Sequence, residues 1–153
     1  MQLKNEISDF NKLLAPWIGK TFKLMNIYIA QIFSKNNFQV TQEQWFVLKV
    51  LNESNNGFIQ NDLACATNRN KATLTRLINV MEKHNLVVRI PSKEDARKKL
   101  IYATKTGESL FLKMKPLMLS SLQVIQKGIS EEEKNIFINV MKKIQTNLKI
   151  NEN

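Results

Sequence analysis

The sequence predicts a mainly α fold with a small β-wing, and three observations predict it. Glycine (4) and proline (3) are scarce among 153 residues, so loops must be few and short and helix is the natural bulk structure. Apolar residues recur at helical spacing over most of the chain. One segment breaks that period: residues 86–90 and 100–104 read as two strands around a polar tip at 92–99. The length suits one compact domain, or one domain with a dimerisation extension.

In chain order, residues 4–14 read as a short helix with Phe10, Leu13 and Leu14 on its buried side. Residues 16–35 read as a long one. Pro16 suits the first helical position, where a missing N–H leaves nothing unsatisfied. Trp17, Leu24, Tyr28 and Ile32 make an apolar surface too wide for a helix lying on one core, so a partner chain is expected to cover it. Thr41-Gln42-Glu43-Gln44 is a capping box that starts a helix over 42–53, burying Trp45, Leu48 and Leu51. Asn55-Asn56-Gly57 breaks the chain before a short extended piece, Phe58-Ile59.

A short helix over 60–67 turns Leu63 and Ala64 inward, and a turn follows at Thr67-Asn68-Arg69. Asn70 caps a helix over 71–84 whose Leu74, Leu77, Ile78 and Met81 stand at i, i+3, i+4 and i+7. Asn85 suits the left-handed conformation that ends it. The hairpin comes next, its first strand stopped by Pro91. Thr106 and Gly107 open a helix over 107–127 with the stripe Phe111, Met114, Met118, Leu122 and Ile125, and Pro116 should kink it. Ser130 to Glu133 is a second capping box, heading a helix over 131–148 that buries Phe137, Val140, Met141, Ile144 and Leu148.

The formal net charge is +10, which favours polyanionic partners: nucleic acid or an anionic membrane surface. Residues 60–105 concentrate the surplus, with 10 basic groups against 4 acidic ones. No run of ~18 apolar residues spans a membrane, the N-terminus lacks an apolar signal core, and the single cysteine allows no internal disulfide. A cytoplasmic protein with no membrane partner is the expectation.

Short helix, tight turn, capped helix and basic-tipped hairpin are the parts of a winged helix-turn-helix, so double-stranded DNA is the expected partner. The capped helix fits a major groove and the hairpin tip the neighbouring backbone or minor groove. Lys71 and Arg76 reach phosphate or guanine, while Thr73 and Thr75 hydrogen-bond or touch a thymine methyl. Lys93, Arg97, Lys98 and Lys99 project from a loop too short to bury them. Each feature alone also fits an ordinary solvated surface; their order gives them joint meaning.

Several residues carry the resemblance to a known family: Leu63-Ala64, Ala72-Thr73-Leu74-Thr75-Arg76-Leu77-Ile78, Leu86-Val87-Val88-Arg89, Asp95-Ala96-Arg97 and Thr104-Lys105-Thr106-Gly107. With Gln44 to Leu48, they resemble the MarR family of bacterial regulators. The resemblance implies a homodimer at a pseudo-palindromic site, with N-terminal dimerisation helices over 1–35, a DNA-binding lobe over 36–105 and C-terminal dimerisation helices over 106–153. It implies repression and release by a small amphipathic or phenolic effector. It assigns Arg97 to the minor groove, Asp95 to bracing the wing, and Lys71, Ala72, Thr73, Thr75 and Arg76 to recognition, with Asn70 as cap. Arg69 departs from the pattern, standing where the turn often has an apolar residue.

An effector pocket is also implied. Trp17, Tyr28 and Trp45 either line it or serve as plain core, the role that aromatic burial favours. Cys65 reads as a small packing residue and His84 as a helix-terminal cation; neither has the neighbours of a redox or metal site. No cofactor is expected. No phosphate loop or nucleophile–base pair points to an enzyme. A protein-interaction module that meets an acidic partner through the same basic surface is the alternative.

Overall fold

The computed structural model describes residues 10, 12–54 and 56–149. The expected helix over 4–14 falls mostly outside them. Helices α1 (Leu14–Lys35) and α2 (Gln42–Asn52) precede strand β1 (Phe58–Ile59), α3 (Gln60–Ala66) and α4 (Lys71–Lys83). Strands β2 (Val87–Pro91) and β3 (Lys99–Ala103) follow, then α5 (Lys105–Ile125) and α6 (Glu131–Lys149). The chain forms two compact units, the first ending at Met118 and the second beginning at Leu119.

The core of the first unit takes most of its residues from the helical stripes, with Ile101 added from β3. Leu48, Leu63, Leu74, Ile78, Met81, Ile101 and Met114 are fully buried. Each contributes about 1.5–3 kcal/mol by leaving water. Trp45 is buried on α2 and lies against Phe111 of α5, ring centroids 5.6 Å apart. Leu77 is only half-buried, on the flank of the stripe.

Asparagine rather than glycine ends three of the helices. Asn37, Asn68 and Asn85 have φ of 57°, 50° and 55°. Each is followed by a backbone N–H that reaches five residues back: Phe38 to Phe33 O, Arg69 to Ala64 O, and Leu86 to Met81 O. These bonds satisfy carbonyls that a helix end would otherwise strand. Asparagine's tolerance of the left-handed region lets a glycine-poor chain turn this tightly.

The sheet has three strands in the order β1-β3-β2, all antiparallel, where the sequence predicted only a hairpin. Phe58 pairs with Ile101 and Ile59 with Leu100, so the short extended piece becomes an edge strand on β3. Pro91 is not a stop but the last residue of β2, opposite Lys99. A proline is tolerated at such an edge because its missing N–H breaks no interior ladder bond.

Other boundaries shift by a few residues. α1 starts at Leu14, placing Pro16 third, still in the first turn. α5 starts at Lys105, because Thr104 Oγ1 accepts from Gly107 N at 3.0 Å and acts as the cap. α5 is assigned as one helix with Pro116 inside.

The expected burial on the outer helices fails in the single chain. Phe10, Leu13, Leu14, Trp17 and Leu24 are exposed, as are Phe137 and Leu148, while Val140, Met141 and Ile144 are half-buried. The helical period there reports an apolar face, which among the described residues is only partly covered.

Candidate nucleic-acid interface

α4 begins where a helix with a polar first turn should. Asn70 Oδ1 accepts from Thr73 N at 2.8 Å, and Lys71, Ala72, Thr73 and Arg76 are exposed. Asn70 itself is exposed. Thr75 is half-buried. Its hydroxyl donates to Lys71 O at 2.7 Å and accepts from Gln60 Nε2 at 2.6 Å. The α3–α4 turn is held by Thr67, whose buried hydroxyl donates to Leu63 O at 2.6 Å.

The wing tip is braced by its own aspartate. Asp95 Oδ1 accepts from Arg97 N at 3.0 Å, Lys98 N donates to Asp95 O at 2.9 Å, and Ser92 N donates to Lys98 O at 2.8 Å. Asp95 is half-buried, while Lys93, Arg97, Lys98 and Lys99 are exposed. Arg97, Lys98 and Lys99 line a groove of about 420 Å³ together with Arg89 and with Gln60 and Asn61 at the start of α3.

Two other basic residues are spoken for. Arg69, the departure in the turn, donates from Nη1 to Glu43 Oε1 at 3.1 Å, which joins the α3–α4 turn to α2. Arg89 donates to Glu82 and, from Nη2, to Asn79 Oδ1 at 2.9 Å. By contrast, Lys71, Arg76, Lys93, Arg97, Lys98 and Lys99 form no ion pair among the described residues. Unpaired exposed cations on one lobe are an electrostatic footprint for a polyanion. The sequence reading did not assign Gln60 or Arg89 to this surface. The wide separation of Gln60 from Thr75 along the chain left no local signal.

A second cavity, of about 740 Å³, is lined by Phe22, Phe33, Phe38, Trp45, Phe46 and Met118 with Asn26, Gln42 and Arg69. Its size suits a small organic molecule. Trp45 Nε1 is buried without a hydrogen-bond partner. Of the three aromatic residues expected at a pocket, only Trp45 lines this one; Tyr28 is half-buried and Trp17 is 58% exposed. Cys65 is exposed on α3 rather than packed.

Known proteins share this arrangement. The S. aureus MepR–DNA complex superposes with a TM-score of 0.81 at 24% identity, covering 88% of this chain and 98% of that one. Bordetella bronchiseptica BpsR, whose DNA binding is regulated by 6-hydroxynicotinic acid, gives 0.79 at 20% identity, covering 89% and 95%. The repressor CouR bound to a 23-mer DNA duplex gives 0.78 at 17% identity, covering 90% and 95%. Residues 40–99, which hold α2, the helix-turn-helix and the wing, match the MarR family model. Over residues 40–99 the chain matches the MarR family, and over most of its length it has the fold of these winged-helix regulators.

Proposed function

We propose that the chain is a homodimeric repressor that grips a pseudo-palindromic operator and lets go when a small aromatic effector binds. One observation carries the DNA half of this reading. Gln60 touches the recognition helix at Thr75 and also lines the groove edged by Arg97, Lys98 and Lys99. Gln60 thus links the reading helix to the groove of the basic wing, which supports their acting together. On that surface Asn70, Lys71, Ala72, Thr73, Thr75 and Arg76 meet the major groove, and Lys93, Asp95, Arg97, Lys98 and Lys99 form the wing contact.

Dimerisation is supported by the apolar residues left bare on single helices. Trp17, Phe22 and Leu24 on α1, and Ile136, Phe137 and Ile138 on α6, are all exposed. Large apolar side chains exposed around so much of a helix favour association. The segments 1–35 and 106–153 are accordingly assigned to the dimer, and the segment 36–105 to DNA.

The effector half rests on the 740 Å³ cavity and on the orphan Trp45 N–H, a buried donor that a ligand acceptor would satisfy. BpsR, similar in fold, responds to a heteroaromatic acid. The test is selection from a randomised 30-base-pair duplex library, followed by fluorescence anisotropy on the enriched sequence. The expected product has two half-sites ~34–36 Å apart, a sedimentation mass of two chains on the DNA, and release on adding 6-hydroxynicotinic acid or a related aromatic carboxylate. Sequence-indifferent binding that ignores salt would overturn the operator reading.

A further inference from the structure

We propose that Gln60 is a positioning residue that commits the Thr75 hydroxyl inward, so that the recognition helix reads a thymine methyl through Thr75 rather than a base acceptor. The proposal deepens the DNA-binding role assigned above and rests on it.

The argument is one of proton accounting. A threonine hydroxyl has one proton to give. Lys71 O, a carbonyl, can only accept, and it lies 2.7 Å from Thr75 Oγ1, so the Thr75 proton goes there. Gln60 stands 2.6 Å from the same oxygen and must therefore present its amide nitrogen, as a donor. Thr75 thus has no proton left for guanine N7 or O6, adenine N7 or thymine O4, the acceptors that line the major groove. Gln60, the first residue of α3, holds this state from outside the reading helix. Thr75 remains half-exposed, and with both partners of its hydroxyl already supplied by the protein we assign any base contact it makes to the methyl. In the major groove a methyl finds its complement on the thymine C5 carbon.

The arrangement separates Thr75 from Thr73. Thr73 is fully on the surface, its backbone N–H is used by the Asn70 cap, and its side chain is not held by α3. Two threonines two positions apart on one helix then do different things: one is locked by a neighbour and one is free to adapt.

The test uses the full-length protein and the duplex it enriches from a randomised 30-base-pair library. Each thymine of that duplex is replaced in turn by deoxyuridine, which removes only the methyl. The wild-type protein is expected to lose about fourfold in affinity at one symmetry-related position per half-site, the worth of one carbon leaving water (~0.8 kcal/mol). Thr75→Val, which keeps the methyl, should retain that penalty at that position. Thr75→Ser, which keeps both hydrogen bonds and loses the methyl, should abolish it. Gln60→Met, which cannot donate, should pull the thymine-to-deoxyuridine ratio towards one, while Arg97→Ala lowers affinity for both duplexes and leaves the ratio alone.

A Thr75→Ser protein that still penalises deoxyuridine there, or a Thr75→Val protein that no longer does, overturns the methyl assignment. A Gln60→Met protein with the wild-type ratio overturns the positioning role. If the wild type enriches a duplex that shows no deoxyuridine penalty anywhere, only this inference falls. If it enriches no duplex, the operator reading falls and takes this one with it.

Discussion

Arg89 Nη2 donates to Asn79 Oδ1 at 2.9 Å, tying the middle of β2 to the third turn of α4, and Nη1 of the same guanidinium meets Glu82 one helical turn further on. The fork spans two residues at i and i+3 on one helix face, and a planar guanidinium holds both with separate nitrogens. The wing therefore leaves the sheet at an angle fixed against the recognition helix.

Arg89→Gln should loosen that angle without removing a phosphate contact. The Arg89 side chain is 18% exposed, so its bonds are partly shielded and their loss should cost about 1–2 kcal/mol in a urea midpoint. Operator affinity should fall by about tenfold (~1.4 kcal/mol), because a misplaced wing forfeits its contacts. The slope of log K against log salt should stay at the wild-type value, since both Nη groups are already used within the protein. A reduced slope would mean that Arg89 itself reaches the backbone.

Arg97→Ala is the complement. The Arg97 side chain is exposed, and only its backbone N–H is held, by Asp95 Oδ1. Fold stability should move by less than ~0.5 kcal/mol, as for an ordinary surface substitution. Affinity should fall and the salt slope should shrink by ~0.9 if the guanidinium neutralises one phosphate per subunit counted. Titrating one labelled duplex at four salt concentrations with each protein separates the two arginines.

These two residues also mark how far sequence reading reaches. Arg97 was legible because a charged residue in a short polar loop has nowhere to hide. The core of α4 was legible for the same kind of reason: Leu74, Ile78 and Met81 follow one helical stripe, and all three are fully buried. Arg89 was not, because its role depends on Asn79 and Glu82 standing across a strand–helix contact that no local period encodes. Phe58-Ile59 was legible as an extended piece but not as a third strand of the sheet, since two residues are too few to show alternation and their pairing with Ile101 and Leu100 spans over forty residues. The outer helices failed in the opposite direction. Their apolar period was plain, yet Phe137 and Leu148 are exposed, because period reports a face and not its occupant.

The cap of α6 predicts a pH dependence. Ser130 N donates to Glu133 Oε2 at 2.7 Å, and Glu133 N donates to Ser130 Oγ at 3.2 Å. The bond from the Ser130 backbone, and then that with its side chain, holds the Glu133 carboxyl below its ordinary value of 4.5. A depressed folded-state value means the ionised form favours the folded helix. Its stabilisation is therefore whole above pH 4.5 and is lost as pH falls through the folded value. Glu133→Gln keeps an acceptor but no charge. The gap between wild type and Glu133→Gln in a urea midpoint should be open at pH 7 and narrow steadily as pH falls below 4.5. A gap that does not change with pH would assign the difference to something other than ionisation.

Gly107 should prove the least replaceable glycine of the four. A Cβ built there would lie 2.1 Å from Leu86 O and 3.0 Å from Leu48 Cδ2. The first neighbour is backbone, and it is already an acceptor: Thr104 N donates to Leu86 O at 3.1 Å. It cannot retreat without pulling on the strap that seats the start of α5 beside β2. Gly107→Ala should therefore destabilise the fold by about 3 kcal/mol, the upper range for overpacking a close contact, and lower Tm by more than ~6 °C. Gly19→Ala is the control. Nothing lies within 4 Å of its added carbon in the single chain, and alanine in a helix interior gains about 0.5–1 kcal/mol over glycine. If Gly107→Ala melts with the wild type, the approach of α5 to Leu86 is looser than 2.1 Å implies, and the α5 cap at Thr104 does not fix the helix against the sheet.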